Sequence, residues 1–380
     1  MTTGEAALDE GLLPRARRSL LATLDHAAGP FDGARRRLLA AALATPLRVV
    51  LRDRDRRIAA LSTIGVLSAL TLSTVCPAVL FALTPLVLGV PHVASDVRYL
   101  VVRRRLPRWW TVSVLVACAL MFLLRVAQHI HQGNELIRAE VSLGTAWLAA
   151  AAFAGALVAG SWRRLVRTLP VVAIVGVLAQ LSPYGSVLVL AHVHNVVALV
   201  LWLWLFRRWT RPVWLPLSLI VGATALLASG AATPVIQRIG GDRAFGVELA
   251  SVSSWLVPGV APRMALALTL TYVFLQAIHY CVWLGWVPQE DVRAEGTLTF
   301  RMSARSLVAD FGVLGLLAIG LASALVLGLA AFDALRTREV YLSVAAFHGY
   351  LELAMLAYLI TAGGASAEPA PAMPAAFALR

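Results

Sequence analysis

Eight histidines occur in the chain, and seven of them sit in or at the ends of strongly apolar runs: His92, His129, His131, His192, His194, His279 and His348. Only His26 lies outside. A polar, ionisable side chain in hydrocarbon is costly unless it faces a bundle interior and finds partners. Packing explains one such residue; seven suggest a shared purpose. Two of them have a carboxylate four residues on, Asp96 after His92 and Glu352 after His348, and that spacing places each pair on one helical face. A carboxylate there can accept the spare ring N–H of a metal-bound imidazole and fix its tautomer. Asn195, beside His194, is a further candidate for such support.

The donor set narrows the chemistry. Neutral imidazole suits iron, copper and zinc, whereas thiolates and thioethers select softer ions. The three cysteines, Cys76, Cys118 and Cys281, stand in separate runs with no CxxC pair, so neither a disulfide framework nor a zinc–thiolate site is expected. All-histidine ligation with open positions suits non-haem Fe(II) that activates O2, and His92, His192, His194, His279 and His348 are the candidate ligands. In AHVHN, His192 and His194 are two apart and point in different directions on a straight helix, so one of them is expected in the cluster. A metal buried among apolar helices implies a lipid-soluble substrate. Tyr280 and Trp283, one and four residues after His279, are candidates to flank it.

The elements that must position these residues are membrane helices. Of 380 residues 59% are hydrophobic and only 14% charged, where soluble domains carry roughly 25%. The chain predicts an all-α, polytopic transmembrane bundle of about ten spans, near 58–77, 79–102, 109–131, 141–160, 167–182, 185–206, 213–232, 263–285, 307–331 and 339–361. Residues 1–57 read as a cytoplasmic, interfacial segment in which Leu20, Leu21, Leu24, Leu38, Leu39 and Leu43 form amphipathic helices on the membrane surface. Residues 363–380, rich in Ala and Pro, read as a disordered tail. No cleavable signal segment is expected at the start.

At a rise of 1.5 Å per residue, His92 lies roughly 15 Å from one end of its span, and His194 and His348 roughly 13 Å from the other ends of theirs. These depths converge near the midplane, with His279 a turn or two away and His129 and His131 near the outer surface. The net charge of +13 collects in short connections such as RDRDRR (52–57), RRR (103–105), WRRLVR (162–167) and RRWTR (207–211). Such clusters orient helices and face anionic lipid, so a nucleic-acid partner is not expected. They predict both termini on the cytoplasmic side of a bacterial inner membrane, with Arg336 and Arg338 falling on the wrong side of that scheme. The 233–262 connection, with Gly240, Gly241, Trp255 and Pro258, reads as a surface loop.

Four stretches resemble the bacteriorhodopsin-related-protein family of central-cleavage β-carotene dioxygenases: LGVPHVASDVRYL, HIHQG, FLQAIHYCVWLGWVPQE and LSVAAFHGYLELAML. The likeness spans roughly residues 80–360. Val93, Phe347 and Trp283 depart from the family pattern. The resemblance implies a polytopic, histidine-rich non-haem iron enzyme that cleaves β-carotene to retinal, with roles carried to His92, His131, His279 and His348. Other classes fit parts of the pattern. A membrane di-iron hydroxylase or desaturase would carry dense HxxxH and HxxHH clusters, which are missing. A bis-histidine haem protein would account for two histidines, and a proton-coupled transporter would use His92, Asp96, His348 and Glu352 as a relay.

Overall fold

The computed structural model describes residues 3–104, 106–131, 133–206, 211–290 and 299–363, with side chains from Ser19 onward apart from Phe206. Arg105, most of the RRWTR run and the Ala/Pro-rich tail lie outside the described residues. Among the described residues, ten helical segments are long and apolar enough to cross a membrane, so the chain is an integral membrane protein. They begin with α3 (Arg54–Val75), α4 (Pro77–Val97), α5 (Arg108–Ile130), α6 (Asn134–Ala159), α7 (Trp162–Leu181) and α8 (Pro183–Leu201). The others are α9 (Trp214–Ala228), α12 (Pro262–Cys281), α14 (Phe300–Phe332) and the pair α15 (Ala334–Ala345) and α16 (Phe347–Ala362), which break at Ala346 and together form the last span. Each overlaps an expected span, with boundaries that differ by up to seven residues, as at Asn134 and Phe300.

Local chemistry sets the boundaries. Pro77, Pro183 and Pro262 open α4, α8 and α12, where a missing N–H costs nothing. Asp53, Thr299 and Asp333 cap α3, α14 and α15 by accepting from backbone N–H groups three residues on. Gly160 ends α6 in the left-handed region at φ 61°.

Before the first span the chain forms one long helix, α1 (Thr3–Leu43), and a single turn, α2 (Arg48–Arg52), rather than a pair of comparable helices. The connection after α9 is also more ordered than expected. It contains α10 (Thr233–Ile239), a two-residue hairpin of Arg243–Ala244 with Val247–Glu248, and α11 (Leu249–Leu256).

The bundle has a clear centre. In α12, 83% of the most apolar stretch is buried against protein, whereas in α14 none is, so α12 is a hub and α14 a lipid-facing outer helix. Helix α16 packs on α6, α8, α5 and α7, and α12 packs on α4, α8 and α9. Three helices share an irregularity towards one end: α4 passes into a π-helical turn at Arg98–Val102, α8 at Trp202–Phe206 and α12 at Val282–Trp286. A π turn rotates the chain relative to a regular helix and frequently marks a functional site. Each of these three follows a helix that carries one of the clustered histidines.

Candidate metal centre

Helices α4, α8, α12 and α16 each deliver one histidine to a common point. The ring centroids of His92 and His348 are 4.8 Å apart, those of His92 and His279 5.2 Å, those of His194 and His279 5.0 Å, and those of His194 and His348 5.2 Å. His92 and His279 are each 1% exposed. One ligand atom from each of His92, Asp96, His279 and His348 lies within 4.8 Å of all the others, and none of the four is exposed.

The GVPH stretch helps to form this point through packing. A Cβ at Gly89 would run into the Tyr341 ring, so glycine lets α15 close onto α4. Helix α4 continues through both Pro85 and Pro91. Pro85 has no N–H to offer the carbonyl one turn back, that of Phe81; Arg338 Nε donates to that oxygen instead, at 2.8 Å.

Hydrogen bonds orient two of the rings. Nδ1 of His194 donates to Leu190 O at 3.0 Å, and Nδ1 of His348 donates to Ala345 O. A carbonyl only accepts, so both Nδ1 atoms carry the hydrogen and both Nε2 atoms keep a lone pair. Nε2 of His348 then faces Nε2 of His92 at 3.3 Å. Two imidazoles bound to one ion at 2.0–2.1 Å in tetrahedral geometry would have nitrogens about 3.3 Å apart. Both ring nitrogens of His279, Nδ1 of His92 and both oxygens of Asp96 have no hydrogen-bond partner. An unmatched buried polar atom costs about 1–3 kcal/mol, and a buried carboxylate without a counter-charge costs more. A cation among these atoms would relieve all of them at once. The residues therefore fit a metal ion, and an all-N,O donor set matches iron, zinc or manganese better than Cu(I). The 3.3 Å between Nε2 of His92 and Nε2 of His348 is shorter than the about 4 Å that two axial nitrogens at 2.0–2.1 Å on opposite sides of a haem iron would need, so that pair matches ligands on one side of an ion better.

The carboxylates do not act as the i, i+4 spacing suggested. Asp96 makes no hydrogen bond to His92; one of its oxygens lies within 4.8 Å of a nitrogen of each of three imidazoles, within reach of a shared ion. Glu352 serves another helix: Oε1 accepts from Trp283 Nε1 at 2.6 Å and lies 3.8 Å from Nε2 of His279. His348 prefers the nearby Ala345 carbonyl, left free where the chain breaks before α16. Trp283 is fully buried and holds Glu352, so it belongs beneath the cluster and not on a substrate wall. Tyr280 matches its expected place, with its ring edge-on to His92 at 4.5 Å and its side chain lining the cavity above. Asn195 also lines that cavity; its Nδ2 donates to Ala191 O at 3.2 Å.

Two expected ligands stand elsewhere. His131 ends α5 and is exposed, and neighbouring His129 is exposed as well. His192 points from the other side of α8 towards Leu256 O at 3.4 Å, with its ring 5.1 Å from Tyr272. Helix α8 is regular at this point, so residues two apart diverge.

No family model, curated protein or solved structure matches this chain.

A cavity of about 400 Å³ opens above the histidines towards the end of the bundle opposite the N-terminus. Its walls include His92, His194, His279 and His348, apolar Leu190, Ala191, Leu342 and Ala346, and Trp255 and Leu256 of α11, so the 233–262 connection helps to roof the site. The sequence reading passed over its polar wall: Arg125, Tyr272, Gln276 and Arg338. Arg125 is held by buried Glu140 at 2.6 Å, which also accepts from Gln128 at 2.8 Å and from the Tyr350 hydroxyl at 3.0 Å. Arg338 gave one signal in the sequence, as a basic residue on the wrong side of the orientation scheme. It is 2% exposed inside the bundle and is no loop charge.

Proposed function

We propose that this protein is a membrane-embedded, non-haem iron oxygenase acting on a lipid-soluble substrate, and that the reaction is oxidative cleavage of a carotenoid. The observation that carries the reading is the convergence of three buried imidazoles, His92, His279 and His348, with buried Asp96, joined by half-buried His194 and by Glu352 beside His279, beneath a largely apolar cavity. His92, His194, His279, His348 and Asp96 would hold the ion. Fe(II) bound there would supply O2 activation. The resemblance supports β-carotene as the first substrate to test and retinal as its product. That reaction balances without an external reductant: one C=C bond and O2 become two C=O groups.

The chain's own residues have distinct tasks in this reading. The backbone carbonyls of Leu190 and Ala345 keep the His194 and His348 rings in the metal-binding tautomer. Trp283 fixes Glu352 beside His279. Tyr280 presents a flat aromatic surface next to His92, suited to a conjugated chain. A lipid arriving sideways from the bilayer sheds little water, which favours such a substrate over a soluble one. The basic connections favour a bacterial cytoplasmic membrane with both termini inside.

Expression in cells that make β-carotene, with and without His92→Ala, tests the reaction. The expected outcome is bleaching with retinal formation by the unsubstituted protein alone. Unchanged β-carotene in cells containing intact, iron-loaded protein would reject that substrate. Purified protein that binds no transition metal after Fe(II) reconstitution would reject the oxygenase.

A further inference from the structure

We infer that Arg338 is a head-group receptor, and that the cavity takes a long-chain substrate bearing a carboxylate at one end. This rests on the oxygenase reading for the direction in which the chain lies, and it narrows the lipid-soluble substrate to an acid-terminated chain in place of the hydrocarbon β-carotene. A guanidinium buried inside a membrane bundle is expensive and is normally matched by an acid. Arg125 follows that rule through Glu140. Arg338 does not: among the described residues no carboxylate pairs with it within 4.0 Å, and the acid that acts on its charge, the neighbouring Glu339, is exposed and lines the same cavity without closing a buried pair.

The contacts of Arg338 use only part of the group. Nε is committed to the Phe81 carbonyl that Pro85 leaves free, and the guanidinium stacks on the Phe81 ring with its carbon 3.4 Å from the centroid. Tyr272, whose hydroxyl accepts from Gln276 Nε2 at 3.1 Å, lines the same wall. The anchoring on Phe81 fixes the plane of the fork along the cavity wall, where Gln276 and Ser343 add further polar groups. Guanidinium nitrogens in a fixed plane match the two oxygens of a carboxylate. One buried cation matches one negative charge, which favours a carboxylate over a more highly charged phosphate head.

The position sets the register. Arg338 precedes His348 by ten residues along α15 and α16, at most about 15 Å at the helical rise because the chain breaks at Ala346. Between them Leu342 and Ala346 give the cavity an apolar wall, interrupted by Ser343. A head at Arg338 would therefore lay an apolar chain towards the histidines, with the reacting carbon about that distance from the acid.

Binding of radiolabelled oleate, oleyl alcohol, methyl oleate and oleyl phosphate to the detergent-purified full chain tests this, with iron and after chelation. Oleate is expected to bind at least about tenfold tighter than the alcohol and the ester, the scale of a charge-assisted hydrogen bond. That preference should persist without metal and collapse in Arg338→Gln, while the iron content of the variant stays at the unsubstituted level. Equal binding of acid, alcohol and ester would overturn the proposal, as would a preference that survives in folded Arg338→Gln. Tighter binding of oleyl phosphate would overturn the carboxylate in favour of a phospholipid head. If Arg338→Gln fails to fold, the comparison of head groups on the unsubstituted chain decides. A chain that prefers oleate yet never binds iron would keep the receptor and lose the oxygenase.

Discussion

Each histidine on α8 gives a different answer at the residue scale. His194 meets His279 and His348, while His192, two residues earlier, reaches only Leu256 and Tyr272. Substituting His279 by Ala should abolish most metal binding, because it removes a candidate ligand whose two nitrogens make no hydrogen bond among the described residues. His192→Ala and His131→Ala should leave metal content near normal, read by elemental analysis of purified protein. Glu352→Gln keeps the size of the side chain but loses the charge beside His279. It should weaken metal affinity roughly 10–100-fold, as removal of an orienting partner does. Full affinity in that variant would reduce Glu352 to a packing residue held by Trp283.

At the scale of elements, the centre depends on how closely α16 can approach its neighbours. A Cβ at Gly155 of α6 would strike the Tyr358 carbonyl and the Thr361 hydroxyl of α16, and one at Gly144 would strike the Tyr350 ring. Small residues are what permit membrane helices to approach in this way. Gly155→Val should destabilise the bundle by about 1–3 kcal/mol, the usual cost of overpacking, because a backbone carbonyl cannot swing aside. Gly222→Ala in α9 is the control, since nothing lies within 4 Å of the added carbon. Thermal unfolding in detergent should fall for the first and hold or rise for the second. The π turns belong to this scale too. They turn the ends of α4, α8 and α12 so that Trp202 and Trp286 meet at 4.9 Å, and the turn in α12 carries Trp283 to Glu352.

Across the whole molecule, the long first helix is tied to the outer helix α14 and not to the core. Asp32 accepts from the backbone N–H of Phe300 at 2.6 Å, Asp25 pairs with Arg305, and Phe31 packs on Phe300 at 5.9 Å. The hydrogen bond from Arg305 holds the Asp25 carboxyl below its ordinary value of 3.8. A depressed folded-state value contributes stability above the ordinary value, and that stability is lost as pH falls through the depressed one. Docking of α1 should therefore be unchanged from pH 5 to pH 8 and loosen only in stronger acid (values about the ordinary aspartate range). Spin labels at Leu38→Cys and Leu314→Cys should report a distance distribution that broadens on acidification. In Asp25→Asn it should already be broad at neutral pH. High salt should have a smaller effect of the same sign, because the pair is partly exposed.

Composition and period alone determined the class and the count of spans, because an apolar stretch that must bury its own backbone polar groups in lipid has little choice but helix. The chain itself also marked His92, His194, His279 and His348, since histidine at midspan depth is costly enough to need a reason. Tertiary structure decided which donors meet. Spacing along one helix placed Asp96 under His92 and Glu352 under His348, yet Glu352 serves His279 and Trp283 of α12. It also separated His192 from His194 and left His131 at an exposed helix end. Arg338 is the clearest case. Its sequence position placed it in a connection, and only the contact of α15 with α4 buries it against Phe81, one turn before Pro85. Periodicity encodes which face a residue occupies; which face of another helix it meets depends on close approaches, such as Gly89 to Tyr341 and Gly155 to Tyr358, between residues far apart in the chain.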